Sequence, residues 1–261
     1  MSYWALLSGI EGNLIAYEAV LSDLQRQPIE LLFVLGDVIS PHSANEKVID
    51  RLCSPRRGEL TPQVCQGWWE EQLLVLHGLG RTGEPTELID RYGIEMTKQL
   101  WDSVPRSLVQ WVRSLDFGIF ELDCLLVHGS SVSVGDELTP ETPPIQMLDR
   151  VMRMDANYLF CGRSGLTFEY EIQHGSVIHS VTTLDQQSTP KSASIRPRKV
   201  VGVGNVGRIP GQATYTLYNP TTNALAFRTI RYGAGKGFQP ARSSLLLSKR
   251  VNPTAPPNHK P

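Results

Sequence analysis

The chain has 261 residues, of which 41% are hydrophobic and 20% charged, values ordinary for a folded globular protein. That length can bury a large core, as one big α/β domain or two small ones. Its 25 basic and 26 acidic residues leave a formal charge of −1. This argues against a whole-chain nucleic-acid or membrane-surface binder, and no apolar run approaches the ~18–20 residues of a spanning helix.

In chain order, the opening MSYWALLSGIEGN lacks a basic start and a small-residue cleavage site, so it reads as a first strand and not as a signal peptide. Tyr3–Leu7 leads into Ser8-Gly9. Leu14, Tyr17, Val20, Leu21 and Leu24 then recur at helical spacing behind Asn13, which is placed as an N-cap. Leu31–Leu35 leads into Gly36-Asp37, and Ala44–Leu52 predicts a second helix. Residues 53–66, rich in Cys, Pro, Arg and Gly, read as an inserted loop. Leu73–Leu76 is a further apolar run, leading into His77-Gly78. Residues 86–114 read as mostly helical with a break at Pro105. Leu125–Val127 leads into His128-Gly129. Thr139–Pro144 reads as a loop before a short helix, Ile145–Met152, and Tyr158–Cys161 leads into Gly162-Arg163.

Continuous apolar runs suit strands covered on both faces. In α/β sheets the loops after the strand C-termini build the site. The pattern therefore nominates Gly9, Asp37, His77, His128 and Arg163 as neighbours around one pocket. After Gly165 the character changes. Phe168–Gln173, Ser176–Thr183, Ala213–Asn219 and Leu225–Tyr232 read as antiparallel strands. The polar, basic stretch 185–199 reads as a mobile insert. Residues 234–261, basic, Gly- and Pro-rich and free of acidic residues, read as a flexible tail after a domain spanning 1–233. The Gly-rich run Gly202–Gly207 lacks the strand–helix context of a dinucleotide fingerprint and reads as a turn. The cysteines at 53, 65, 124 and 161 form no CxxC pair and are expected as reduced thiols of a cytoplasmic protein.

Several of these segments resemble the calcineurin-like metallophosphoesterases, in their compact bacterial and archaeal branch. SGIEGNLIAYEAVLSDL resembles the opening Ser-Asp-x-His-Gly-Asn-Leu and its helix. FVLGDVIS resembles the second block, CLLVHGSS the fourth, LFCGRSGLTFEYEI the fifth, and VGVGNVGRIPGQATYTLYNP the closing stretch. The resemblance runs from residue 3 to about residue 233. It implies an α/β fold, a four-layer αββα sandwich of two mixed sheets with helices outside. It also implies a site where two metal ions clamp a phosphate and generate hydroxide.

The ligand positions of that family are mostly altered. The first-block Asp and His are Gly9 and Glu11, and the two fifth-block His are Arg163 and Gly165. Asp37 stands at the second-block Asp and His128 at the fourth-block His. The third block, Gly-Asn-His, is aligned with LLVLHGLG, which puts Gly78 and Leu79 at its Asn and His. Gly9, Leu79 and Gly165 offer no ligand atom, and the Arg163 cation opposes a metal.

The resemblance thus implies a catalytically degenerate member without a normal di-metal centre, acting as a binding or scaffold module. Gly9, Glu11, Asp37, His128 and Arg163 then form a vestigial pocket, and Arg163 is expected to pair with Asp37, Glu11 or both. Asn13 and Arg163 are the anion-binding candidates, for a phosphate-containing ligand. The expected partner is another protein, not nucleic acid or a membrane, and Trp68, Trp69, Trp101 and Trp111 read as either core or a partner surface. No cofactor is expected. The alternative is an atypical phosphoesterase with a reduced or rebuilt site of Asp37, His128, Glu11 and His77, with His42 nearby, taking Mn, Zn or Mg.

Overall fold

The computed structural model describes residues 2–42, 44–80, 86–172 and 197–233, together with the backbone of four short strands between residues 176 and 194. Elements follow in the order β1 (Tyr3–Leu7), α1 (Leu14–Leu24), β2 (Ile29–Leu35), α2 (Asn45–Cys53), β3 (Gln63–Cys65) and α3 (Trp68–Leu76). Next come α4 (Thr86–Asp102), α5 (Arg106–Arg113), β4 (Gly118–Glu121), β5 (Cys124–Val127), α6 (Pro144–Met152), β6 (Tyr158–Cys161) and β7 (Thr167–Ile172). The short strands are β8 (Ser176–His179), β9 (Thr182–Thr183), β10 (Gln186–Gln187) and β11 (Lys191–Ser194). The chain closes with β12 (Arg198–Val203), β13 (Gln212–Asn219) and β14 (Ala224–Arg231).

Two five-stranded sheets result, with strand orders β14-β13-β1-β2-β3 and β4-β5-β6-β12-β7. Both are mixed. β1, β2 and β3 run parallel while β13 and β14 are antiparallel to their neighbours, and β5, β6 and β12 run parallel between antiparallel β4 and β7. Side chains alternate across each sheet with period 2. In β1 and β2, Trp4, Leu6, Phe33 and Leu35 point to the inter-sheet core, where they meet Leu126, Phe160 and Val201 of the second sheet. Ala5, Leu7, Leu32 and Val34 point the other way and pack on the α1–α5 side. The outer face of the second sheet is covered by Met147 and Val151 of α6. The four-layer αββα arrangement is therefore present, with every central strand buried on both faces.

Several elements follow from local chemistry. Asn13 caps α1 as its spacing predicts, its Oδ1 accepting the Ala16 N–H at 3.1 Å. Pro105 separates α4 from α5 and stands at the α5 N-cap.

Three expectations are corrected. Leu73–Leu76 is not a strand but the last turn of α3, whose nine residues include Trp68, Trp69, Glu70, Leu73 and Leu74 buried. A helix buried on nearly all sides shows the same unbroken apolar run as a buried strand. Residues 53–66 hold β3, which extends the parallel run beside β2. Arg198 and Lys199, assigned to the mobile insert, open β12, where they pair with β7 and β6. Residues 188–190 and 195–196, and the tail 234–261, lie outside the described residues. All four cysteines are free, with Cys53 exposed and the others buried. Among the described residues no helix is long and apolar enough to cross a membrane.

Candidate functional site

The C-terminal ends of β1, β2, β3, β5, β6 and β12 converge at one edge of the sandwich. Asp37 sits at its centre, fully buried on the turn after β2. Its Oδ1 accepts the Trp69 N–H at 2.9 Å. Its Oδ2 faces three basic groups: His128 Nε2 at 3.2 Å, Arg208 Nη2 at 3.6 Å and Arg163 Nη1 at 3.8 Å. Burial alone would raise the Asp37 carboxyl. The adjacent His128 and Arg163 outweigh that and hold it well below the usual carboxylate range. His128 is oriented by its other nitrogen: Nδ1 lies 2.8 Å from the Leu35 carbonyl, so it donates there. The Ser8 hydroxyl donates to the same carbonyl at 2.6 Å. With Nδ1 committed, the contact of Nε2 with Asp37 is attractive only when Nε2 carries a proton.

Below Asp37 lies Glu70, which no motif singled out. Its two oxygens accept backbone N–H groups of Asp37, Val38, Ile39 and Gly67 at 2.8–2.9 Å. Burial, and then the neighbouring Asp37, push its carboxyl up to about 7, while those N–H donors favour the ionised form. Glu70 therefore clamps the β2 turn to the start of α3. The available signal was a Glu three residues after Gly67, the back-reaching half of a capping box.

The outer part of the site is built by Glu11 and Arg208. Arg208 Nε donates to Glu11 Oε1 at 2.8 Å. Burial raises the Glu11 carboxyl, and Arg208 opposes the rise. The pairing expected between Arg163 and Glu11 is thus taken by Arg208, while Arg163 turns to Asp37 and lays its guanidinium 4.5 Å over the Trp68 ring. Arg208 Nη1 also donates to the Arg163 carbonyl at 3.3 Å, and two glycines lie close to its guanidinium. A Cβ on Gly165 would meet Arg208 Nη1 at 2.6 Å, and one on Gly9 would lie 3.8 Å from Nη2. Both glycines have positive φ, +70° and +63°. Arg208 thus lies against the two positions where the resemblance calls for metal ligands and the chain has none.

The expected third block at residues 77–79 does not lie beside Asp37. β3 ends beside β2, and the short turn Gln66-Gly67 leads from it into Trp68 and Trp69 at the start of α3. A Cβ on Gly67 would overlap the Asp37 backbone nitrogen at 2.0 Å, so only glycine fits there. Gly67 and Trp69, not residues 77–79, are the residues that stand beside Asp37. His77 caps the far end of α3 and stacks on Trp101 at 4.2 Å, away from Asp37. Leu79 is likewise remote, and so both drop out of the pocket. Trp68 and Trp69 are buried, whereas Trp101 is 40% exposed. Asn13 stands apart from Arg163: its Nδ2 donates to the Gly207 carbonyl and to Tyr232 Oη, so its side chain is already committed. His42 lines a cavity of about 800 Å³ beside this site.

The chain can be compared with solved structures at this point. A hypothetical protein of Pyrococcus horikoshii OT3 aligns with a TM-score of 0.61 at 20% identity, covering 90% of this chain and 90% of its own. A metallophosphoesterase from Sphaerobacter thermophilus aligns with a TM-score of 0.58 at 18% identity, covering 88% of this chain and 89% of its own. The chain has the metallophosphoesterase fold. No family model matches the sequence, and no curated protein matches it.

The metallophosphoesterase fold implies metals, and the residues present do not fit them. Asp37 Oδ2 and His128 Nε2 are both buried without a well-formed hydrogen bond and face each other, as two ligand atoms would. Yet two guanidinium groups crowd the same carboxylate oxygen, and Glu11 is tied to one of them. Among the described residues no three His, Cys, Asp or Glu side chains are grouped to hold an ion. Glu11 and Asp37 already stand against Arg163 and Arg208. Adding a dication next to two fixed guanidinium charges would be repulsive in a low-dielectric site.

Proposed function

We propose that this protein is a catalytically degenerate metallophosphoesterase-fold protein that works by binding rather than by metal-dependent hydrolysis. The observation that carries the reading is Arg208. It reaches Glu11 and Asp37 with its nitrogens and lies against Gly9 and Gly165. A guanidinium cannot be deprotonated in this setting and cannot ligate a metal. Together with Arg163 it supplies the positive charge that keeps buried Asp37 from standing unpaired, which would cost several kcal/mol. The same arrangement removes what the chemistry needs, a cation that lowers the pKa of a bound water. Trp68 and Trp69, at the start of α3 beside Asp37, further offer no imidazole for proton transfer.

The direct test is hydrolysis of a simple aryl phosphomonoester and an aryl phosphodiester by the purified full chain, with Mn or Zn supplied in excess. The reading predicts turnover no higher than that of the Asp37→Ala variant. Metal-dependent turnover that disappears in Asp37→Ala would instead establish an atypical phosphoesterase.

A further inference from the structure

Among the described residues the Arg163 side chain is held only by long contacts, to Asp37 Oδ2 and to the face of the Trp68 ring. Its side chain is only 7% exposed, its contact with Asp37 is 3.8 Å long, and its Nε–H has no hydrogen-bond partner among the described residues. A buried guanidinium left this way calls for an acceptor. Arg163 borders a cavity of about 380 Å³ that also presents Arg208 and Arg91. The acids on that lining are Glu11 and Glu137, and buried Asp37 stands directly behind Arg163 and Arg208, so the three Arg side chains are largely balanced. Arg91 is only lightly engaged, through an exposed 3.8 Å contact with Glu87.

The second half of the site is more apolar, although Lys47 and His42 also stand on its wall. The cavity shares Glu11, Trp69, Tyr92 and Arg208 with the larger one of about 800 Å³. Trp69 and Tyr92 stand together there, ring centroids 5.3 Å apart. Beyond them the larger cavity is walled by Ile15, Pro41, Met96 and Pro210. Its volume lies in the range of small-molecule sites, and a few fixed polar groups within an apolar lining is the usual make-up of one.

We infer that this cleft binds a small organic monoanion with an apolar body, its charged group at Arg163 and its body along Trp69 and Tyr92 toward Met96. Because Asp37 and Glu11 already draw on these guanidinium groups, little positive charge is left over, which favours a singly charged ligand over a phosphate dianion, and an Arg fork pairs with a carboxylate or a phosphodiester equally well. The inference rests on the reading of the site as metal-free, since a metal at Asp37 would compete for the same anion.

The experiment uses the full chain after chelator treatment, followed by tryptophan fluorescence and thermal melting. The probes are decanoate, diphenyl phosphate, inorganic phosphate and the neutral decanamide. Decanoate or diphenyl phosphate is expected to perturb the fluorescence saturably and raise Tm. Which of the two binds more tightly separates a carboxylate from a phosphodiester source. Phosphate and decanamide are expected to do neither at the same concentration. Arg163→Met should weaken the better probe at least tenfold. Met96→Glu, at a half-buried position away from the charged cluster, should weaken decanoate by a similar factor and leave folding intact. Equal binding of decanamide or phosphate, or affinity unchanged in both variants, would overturn the inference. A metal-free protein that ignores both monoanions would also overturn it, while leaving the metal-free reading standing. Stoichiometric metal would overturn the reading beneath it.

Discussion

The inner and outer halves of the site use charge in opposite ways. Asp37, His128 and Glu70 are fully buried and bonded into the backbone: Glu70 to four N–H groups, His128 to the Leu35 carbonyl, and Asp37 to the Trp69 N–H. Glu11, Arg163 and Arg208 border the cleft and are bonded mainly to one another or to Asp37. The inner half holds three loops at fixed separations and is structural. The outer half presents its charged groups to the cleft and sets what the site can meet. A retained motif residue such as Asp37 is therefore no proof of retained chemistry.

The contrast can be broken most severely at Glu70. Glu70→Ala strips the acceptor from four buried N–H donors. At about 1 kcal/mol or more for each, urea unfolding should report a loss of about 4 kcal/mol or no folded protein at all. A loss under 1 kcal/mol would mean that Glu70 is not the clamp described. The next effect is at Asp37 and is pH-dependent. Its carboxyl is depressed in the folded state, so its contribution to stability is complete above the unfolded carboxylate range near pH ~4 and is lost as pH falls through the lower folded value. Asp37→Asn should destabilise the protein by about 3 kcal/mol at neutral pH and shrink the difference from wild type as the solution is acidified. A constant difference across that range would contradict the ion-pair account. The smallest effect is expected outside both halves. His77→Ala loses a stack on Trp101 and should cost under about 1.5 kcal/mol without altering fluorescence titrations of the cleft.

Much of this architecture is legible in the residues. Unbroken apolar runs at β1, β2, β5 and β6, each followed by a Gly-containing turn, reveal strands buried on both sides and place Asp37, His128 and Arg163 at one edge. Asn13 before a helical repeat marks α1. The rest is hidden for identifiable reasons. β3 is three residues long within a Pro- and Arg-rich stretch, and α3 is so deeply buried that its Leu73–Leu76 turn imitates a strand. The strand-like run therefore points to His77 as a pocket residue, although it lies at the far end of α3. β12 opens with Arg198 and Lys199, whose charge hides a strand. Arg198 is in fact buried against the Ala156 carbonyl and Asp155. Arg208 was missed because its partners Glu11, Gly9 and Gly165 are far away along the chain. The residue signal was indirect: two glycines at ligand positions leave a space that something must fill.

The central claim is that guanidinium charge stands where metal charge would. Elemental analysis of the untagged full chain, after incubation with Mn and Zn and removal of the excess, tests it most directly. The account predicts far less than one ion per chain. It also predicts no gain when Gly9→Asp and Gly165→His are introduced while Arg208 remains. One or two tightly held ions in the wild-type chain, lost in Asp37→Ala, would contradict it.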